Sequence, residues 1–526
     1  AATAAGRGDG SSAANASVDF QAVINAAHRA GDEIRVLSGT LTVDAELVVA
    51  GHPGLAIRGG YTGDDTRSGR SVIQRDPGSI LNHRVFKVSA STITFDSVEI
   101  NNGRVTSTIT FYGNAIGLYS ACNTTITNCV FRNNGHGVDS FADVANYGGA
   151  VGAQNGTLRV YDSEFHNNRM WGGSGNMQPV GGAIAMYGGT LLDVRRSTFM
   201  SNMTSQVHDR WYGGGAIGVL TATKVIVDNC TFKDNVARSG SGTGYHGGGP
   251  TGPYGGTFFF DSITSGEITD TRVDGGWVIN GGGTVYQGYG GLAYLNKSTF
   301  AISRLTAVNC GRTFYKDADN ISKLMQGGID LYGSASKLFM TNVLLGATRT
   351  GWALGNHGGT IQAVNCTFAG TLGTGSWKGF GYTQESGSTT FRNCIFWDNK
   401  EGDYGYVSGS RPQFDYCTTQ AIFAEGYGYG NITNNPQFAD SVYFHPQSRA
   451  GRYDGGWFAN GAWLTTDTAT SPAIDAGDPA MGYGAEPQPN LRRVNMGYDG
   501  GTAAASKSDC GTDPVVAEDK LMVLAY

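Results

Sequence analysis

The chain is poor in charge: Asp, Glu, Lys and Arg make up 15% of its 526 residues, against about a quarter in ordinary globular domains. It has 13 prolines and no Gly-X-Y period, which excludes collagen-like and proline-rich linker architectures despite its 82 glycines. No run of about 18 apolar residues occurs, so no membrane-spanning helix is expected. Basic residues (37) do not exceed acidic ones (43), and the net charge is −6. A broad polyanion surface is therefore not expected, and nucleic acid is not an expected partner. The eight cysteines show no CxxC or Cys/His spacing, so no metal site is expected. No P-loop, Rossmann fingerprint or Ser-His-Asp motif is present; GGYTGD and the many GxG strings read as turn glycines.

What the chain does have is aromatic residues (11%), which no disordered linker carries at this level, and an internal repeat. Four segments align: TNCVFRNN (127–134), YDSEFHNN (161–168), RRSTFMSN (195–202) and DNCTFKDN (228–235). Their phenylalanines, Phe131, Phe165, Phe199 and Phe232, are 34, 34 and 33 residues apart. Between them recurs GGAV (148–151), then GGAI (181–184 and 214–217). VNCTFAGT (364–371) and RNCIFWDN (392–399) keep the same core. ISRLTAVNC (302–310) and MTNVLLGA (340–347) are degenerate copies, and ITFDSVEINN (93–102) is an earlier one.

In GTLRVYDSEF and TKVIVDNCTF every second residue is apolar, the strand period. Segments this short cannot bury a face alone, so repeats must lie side by side. The spacing predicts an all-β chain, a right-handed parallel β-helix (solenoid), with an N-terminal cap and an irregular C-terminal extension. Parallel pairing sets equivalent residues about 4.8 Å apart, so the phenylalanines form one internal column. The cysteines of Asn128-Cys129, Asn229-Cys230, Asn309-Cys310, Asn365-Cys366 and Asn393-Cys394 form another, buried and reduced; Cys122 and Cys129 alone are close enough for a local bridge. The last Asn of each FxxN is expected at a turn, in the left-handed region that Asn tolerates. The glycine pairs fit corners that no Cβ enters. SVDFQAVINAAHRAGDEI (17–34) has helical apolar spacing and suits a cap. The chain divides into 1–34 with the capping helix, 35–399 as repeats, and 400–526 as a C-terminal cap and extension.

The GGA[IV]/FxxN pairing resembles the repeats of chlamydial polymorphic membrane proteins and related bacterial surface β-helices. More broadly the chain is similar to the secreted pectate-lyase-like superfamily. RGGYTGDDTRSG (58–69), HRVFKV (83–88), SPAIDAGDPA (471–480) and VNMGYDGGTAA (494–504) resemble bacterial β-helix proteins that end in a surface-anchor module. The resemblance implies architecture more than activity, because one fold hosts many functions. The chain departs from those surface proteins in showing no transporter barrel or obvious terminal anchor.

The small, polar start AATAAGRGDGSSAANAS reads as a mature end left after signal cleavage, so a secreted or cell-surface location is expected. The tripeptide Arg7–Asp9 reads as chance.

Between FxxN and GGA lie variable inserts: 135–147, 169–180, 203–213 and 236–254. Flanked by paired strands, they must emerge from one edge. They collect His136, Asp139, Asp143, Arg169, Trp171, His208, Asp209, Arg210, Trp211, Tyr245 and His246. Aromatic rings with interspersed carboxylates and cations suit a polysaccharide. Trp171, Trp211, Tyr245, His136 and Arg169 are the candidate substrate-binding residues; His208, Asp209, Arg210, Asp139 and His246 are the candidate catalytic ones. Glycoside hydrolysis needs two carboxyls, about 5 Å apart for retention or about 6.5–9.5 Å for inversion. Asp139 and Asp209, two repeats apart, are spaced about 10 Å before loop curvature. β-Elimination needs a cation on the uronate carboxylate, from Arg210 or Arg169, and a base, from His208, His246 or Tyr245. The calcium-assisted lyases of the resembled superfamily use clustered Asp; DADN (317–320) and FADV (141–144) would supply them here, and neither matches an EF-hand loop. No other cofactor is expected. Trp277, Tyr286, Tyr289, Lys316, Asp317, Asp330, Trp352, His357, Trp377 and Lys378 are further surface candidates. Two functions compete: a polysaccharide lyase or glycoside hydrolase, and a non-catalytic adhesin or self-assembling subunit of an extracellular layer or filament. The low charge and the resemblance favour the second; the clustered His, Asp, Arg and Trp favour the first.

Overall fold

Alternating apolar residues commit the repeat segments to strands. In Thr157–Tyr161, Leu158 and Val160 are fully buried while the residues between them face outward. A computed structural model describes residues 10–105, 111–135, 146–171, 179–206, 212–239, 253–280, 289–311, 327–373, 379–406, 408–420, 427–455 and 461–509. The architecture is all-β, and among the described residues 33 strands belong to one sheet whose pairings are parallel. Strands pair with their counterparts one repeat away, in register through the central repeats: Thr127↔Tyr161, Tyr161↔Arg195, Arg195↔Asp228, Asp228↔Thr269.

The phenylalanine column is present. Phe131, Phe165, Phe199 and Phe232 pair in register and are fully buried. Their rings stack with centroids 4.7 Å apart and planes within 2–8°. Ile100 and Val273 continue the column at its ends. The earlier copy at 93–102 and the degenerate copies at 302–310 and 340–347 pair in the same manner.

The turn expectation needs correction by one residue. The left-handed positions are Asn133, Asn167, Ser201 and Asp234 (φ 52–56°), each just before the last Asn of FxxN. Asn134, Asn168, Asn202 and Asn235 are instead fully buried in an amide ladder. Each Nδ2 of the first three donates to the next repeat's Oδ1 at 2.9–3.0 Å, and all four donate to backbone carbonyls. A buried amide needs both halves satisfied, and the ladder does so: each Nδ2 finds an acceptor, and the Oδ1 atoms accept in turn from the preceding repeat.

A second left-handed column precedes the cysteines: Asn128, Asp162, Arg196, Asn229, Asp270, Arg304, Asn342, Asn365 and Asn393 (φ 47–55°). Cys129, Cys230, Cys366, Cys394 and Cys417 follow this turn, with Ser163 and Ser197 between. Cys310 does not belong to that column. It follows the other turn, in the place of the ladder asparagines, one position after Asn309, which pairs off Gly346. Cys122, Cys129, Cys230, Cys310, Cys366, Cys394 and Cys417 are all buried and reduced, so the short Cys122–Cys129 spacing makes no bridge.

The glycine pairs behave as expected. Gly148, Gly181 and Gly214 sit at φ 70–82°. The second glycines meet the next repeat head on: a Cβ on Gly149, Gly182 or Gly215 would lie 1.8–2.1 Å from the following glycine carbonyl.

The terminal helix is shorter than its apolar spacing predicts. It covers Phe20–Ala26, N-capped by Asp19, and strand begins at Glu33. Phe20 and Ile24 are buried against the core. The Gln21 amide accepts from Val48 N at 2.7 Å and donates to Val48 O at 2.9 Å, so a side chain pairs with the edge strand Leu47–Ala50 as a neighbouring strand would. At the other end, parallel pairing runs to Thr418–Thr419, and Tyr427, Tyr429 and Ile432 bond the exposed edge. The remaining segment folds back: Phe444 and Tyr498 pack on Leu344, Ala347 and Ala369.

Candidate functional site

Each insert leaves and returns in register. Outgoing segments pair as Arg169↔Met203↔Val236↔Trp277 and Trp171↔Ser205↔Arg238↔Ile279. Returning segments pair as Tyr112↔Tyr147↔Val180 and Gly213↔Tyr254, with Tyr254 bridged to Tyr289. The returning tyrosines stack, Tyr112 on Tyr147 at 5.0 Å and Tyr254 on Tyr289 at 5.5 Å. They form an apolar cluster with Ala185, Phe259 and Tyr294, separate from the main core. The loops are thus anchored at both ends along one edge, as the sequence predicted.

Most of the predicted chemistry lies beyond what the structure describes. His136, Asp139, Asp143, His208, Asp209, Arg210, Trp211, Tyr245 and His246 fall outside the described residues, as do FADV (141–144) and DADN (317–320). Arg169 and Trp171 are described, on the strand Arg169–Trp171. Strand alternation puts Arg169, Trp171, Ser205 and Arg238 on the side opposite Met170, Thr204 and Ala237. Met170 is fully buried, against Val105, whereas Arg169, Trp171 and Arg238 are half-buried. Burial and the charge of Arg238 both push the Arg169 guanidinium below its ordinary value. Among the described residues its Nε has no hydrogen-bond partner and it makes no ion pair.

On the sheet faces some arginines are matched by acids, while others, Arg159 on Asn123 and Arg272 on Tyr443, meet neutral groups. Arg195 bridges Asp193 and Asp228, Arg196 meets Asp162, and Arg304 meets Asp270. Two further edge arginines, Arg104 and Arg349, also lack a carboxylate among the described residues. Among the described residues Arg104 Nε has no partner, and Arg349 donates to the Asn309 amide oxygen at 2.9 Å.

Several second-half candidates are not surface residues. Trp277 (3% exposed), Tyr289, Asp330 (0%) and Trp352 are buried beneath the insert-bearing layer. Tyr286, Lys316, Asp317, Trp377 and Lys378 lie outside the described residues. His357 joins Asp330 and Glu385 into a centre that the sequence reading did not assemble. Its Nε2 lies 2.9 Å from Asp330 Oδ1 and its Nδ1 2.7 Å from Glu385 Oε2. Asp330 also accepts from Trp352 Nε1 at 2.7 Å and Gly290 N at 2.6 Å, and Tyr332 stacks on the imidazole at 4.2 Å. Burial alone would depress the His357 pKa, but the two carboxylates outweigh it and push it up to about 9. The hydrogen bond from His357 holds Glu385 below its ordinary value. The available signal was spacing: Asp330, His357 and Glu385 are 27 and 28 residues apart, one shortened repeat each. The strand carrying His357 shifts register there, as strands often do beside functional sites. Its chemistry is self-contained: an imidazolium neutralises a buried aspartate and fixes a half-exposed glutamate.

No protein-family model matches the chain, and neither a curated protein nor a solved structure matches it.

Proposed function

We propose that the chain is a right-handed parallel β-helix, exported from the cell, whose insert-bearing edge engages an extended polysaccharide as a lyase or glycoside hydrolase. The observation that carries this reading is the register of the inserts: four successive outgoing segments and three successive returning ones pair along one edge, with Arg169, Trp171 and Arg238 among them. Consecutive anchors about 4.8 Å apart suit a linear chain of sugars better than a compact ligand. In this reading Trp171, Trp211 and Tyr245 offer ring faces, and Arg169 or Arg210 receives a carboxylate. His208 or His246 serves as base for elimination; Asp139 and Asp209 serve as the carboxyl pair for hydrolysis. Incubation with uronate-containing and neutral glycans, followed by the short-wavelength ultraviolet absorbance of unsaturated products and by reducing-end release, tests it. Activity lost in His208→Ala or Asp209→Ala supports the enzyme.

A non-catalytic surface protein is the second reading. It is favoured by the buried Asp330–His357–Glu385 centre and the stacked tyrosines, which use chemically capable side chains for packing. Silence across the glycan panel, with end-to-end assembly in negative stain, supports that reading.

A further inference from the structure

Three buried cysteines occupy equivalent positions in three successive repeats. Strand register places them: Thr367↔Ile395 and Ile395↔Thr418 set Cys366 beside Cys394 and Cys394 beside Cys417. The backbone ladder is unbroken there, with Ile395 N donating to Cys366 O and Thr418 N to Cys394 O, both at 2.9 Å. All three side chains are fully buried, and the thiol of Cys394 interacts with those of both neighbours. Cys129 and Cys230, in the same column, are three repeats apart, with Ser163 and Ser197 between them.

Spacing decides which bonds this cluster can make. Equivalent residues of adjacent parallel strands are about 4.8 Å apart, inside the Cα separation of about 4.4–6.8 Å that a disulfide spans. Cys366 and Cys417 are two repeats apart, about 10 Å, too far to join without moving the backbone. Any bridge within the cluster therefore uses Cys394, and only one can form. Side-chain direction selects the partner. Cys394 Sγ lies 3.6 Å from Ala363 O, in the repeat that carries Cys366.

The structure holds all three as thiols. We infer that Cys366 and Cys394 are a cross-repeat disulfide site, oxidised as the chain folds in an oxidising compartment, with Cys417 left as a thiol. The bridge closes a loop of 28 residues and staples the repeats next to Thr418–Thr419, where parallel pairing ends. Such a closure stabilises by restricting the unfolded chain.

The bond forms by thiol–disulfide exchange. The Cys394 thiolate attacks a small disulfide, or that of an oxidase, giving a mixed disulfide and expelling one thiol. The Cys366 thiolate then attacks Cys394 Sγ, forming the new S–S bond and expelling the second thiol. Two electrons and both protein thiol protons end on the expelled pair. The closed core excludes such reagents, so the exchange precedes docking of the last repeats. The inference takes only its oxidant from the exported location proposed above.

The test uses the full-length chain in two arms. In one, chain made in a reducing cytosol is unfolded and refolded with reduced and oxidised glutathione. In the other, the chain is secreted into an oxidising compartment. Free thiols are alkylated in denaturant, and the unreduced digest is read by mass spectrometry. The expected molecule is two hydrogens lighter, with Cys366 linked to Cys394 and with Cys129, Cys230, Cys310 and Cys417 alkylated. It should melt a few degrees above its dithiothreitol-reduced form. Cys129→Ser and Cys417→Ser should keep the bridge and Cys394→Ser should lose it; the map of the unsubstituted chain decides the matter if a variant fails to fold. A bridge in the glutathione arm alone supports the inference and counts against export. Full alkylation in both arms overturns the inference, as does a bridge from Cys394 to Cys417, or from either to Cys129 or Cys230. Equal melting of the bridged and reduced forms overturns the stapling role.

Discussion

Replacing Asn168 with alanine deletes the middle of the amide ladder. Four hydrogen bonds go: Nδ2 to Phe131 O and to Asn202 Oδ1, both at 3.0 Å, and the Oδ1 contacts to Asn134 N and Nδ2 at 3.2 and 2.9 Å. Each is worth about 0.5–1.5 kcal/mol net, so the loss should total about 2–6 kcal/mol. The neighbouring Asn167→Ala is the matched control. It forces alanine into φ 53°, a cost of about 1–2 kcal/mol, and gives up exposed amide contacts, that to Asn133 among them. Contacts in a repeat array are made mainly with nearest neighbours, so the damage should be local. Long arrays also depart from two-state unfolding. The suitable assay is therefore amide hydrogen exchange in urea, comparing segments 131–134 and 198–202 with the distant strand Lys337–Thr341. Protection should fall near the substitution in Asn168→Ala, much less in Asn167→Ala, and little at the distant strand in either. Equal losses in the two variants would refute the claim that ladder amides, and not turn conformation, stabilise this corner.

Three further outcomes are expected. Gly182→Ala should fail to fold or melt far lower, because its Cβ would sit 2.0 Å from the Gly215 carbonyl; Gly63→Ala, with nothing within 4 Å, should change stability by less than about 0.5 kcal/mol by differential scanning calorimetry. The His357 centre should make stability fall in alkali. Its raised pKa contributes fully below the ordinary value of 6.5 and is lost as pH rises through about 9, while the depressed Glu385 contributes above the ordinary value of 4.5 and is lost as pH falls through its own lowered one. Asp330→Asn should flatten the alkaline arm of a plot of melting temperature against pH. Finally, with Cys510, the eighth cysteine and outside the described residues, replaced by serine, the chain should show no thiol reactive to an aromatic disulfide reagent until denatured, since burial pushes the Cys129, Cys230 and Cys310 thiols up to about 12; rapid native labelling would contradict a closed core.

Much of this architecture was readable from spacing. The phenylalanine interval near one repeat gave the column and its register, and doubled glycines gave the corners, because a missing Cβ leaves a direct mark in sequence. The asparagines were harder. FRNN presents two adjacent residues suited to both a left-handed turn and a buried amide, and composition does not say which takes which role. Cys310 was misplaced for a similar reason: Asn-Cys occurs at both turns of the repeat, and only strand register separates them. Among the site residues, Arg169 was named for its chemistry, but its pairing with Arg238 needed the register of inserts of unequal length. The His357 centre was missed because its members sit in shortened repeats without the FxxN signature, and because Trp352, Tyr289 and Asp330 look like surface residues when read singly. The helix was over-extended because apolar spacing continues past Ala26, where the chain already turns toward the strand at Glu33.

The fixed exit and return points of the inserts separate two demands usually made on the same residues. The Phe, Asn and Gly columns hold the scaffold regardless of what is spliced between them, so an insert can lengthen, shrink or be exchanged like a cassette without disturbing its neighbours. A chain built this way can acquire a different ligand preference by rewriting a dozen residues at its rim, and a designer could transplant one rim segment into the next slot with the joints already cut to fit.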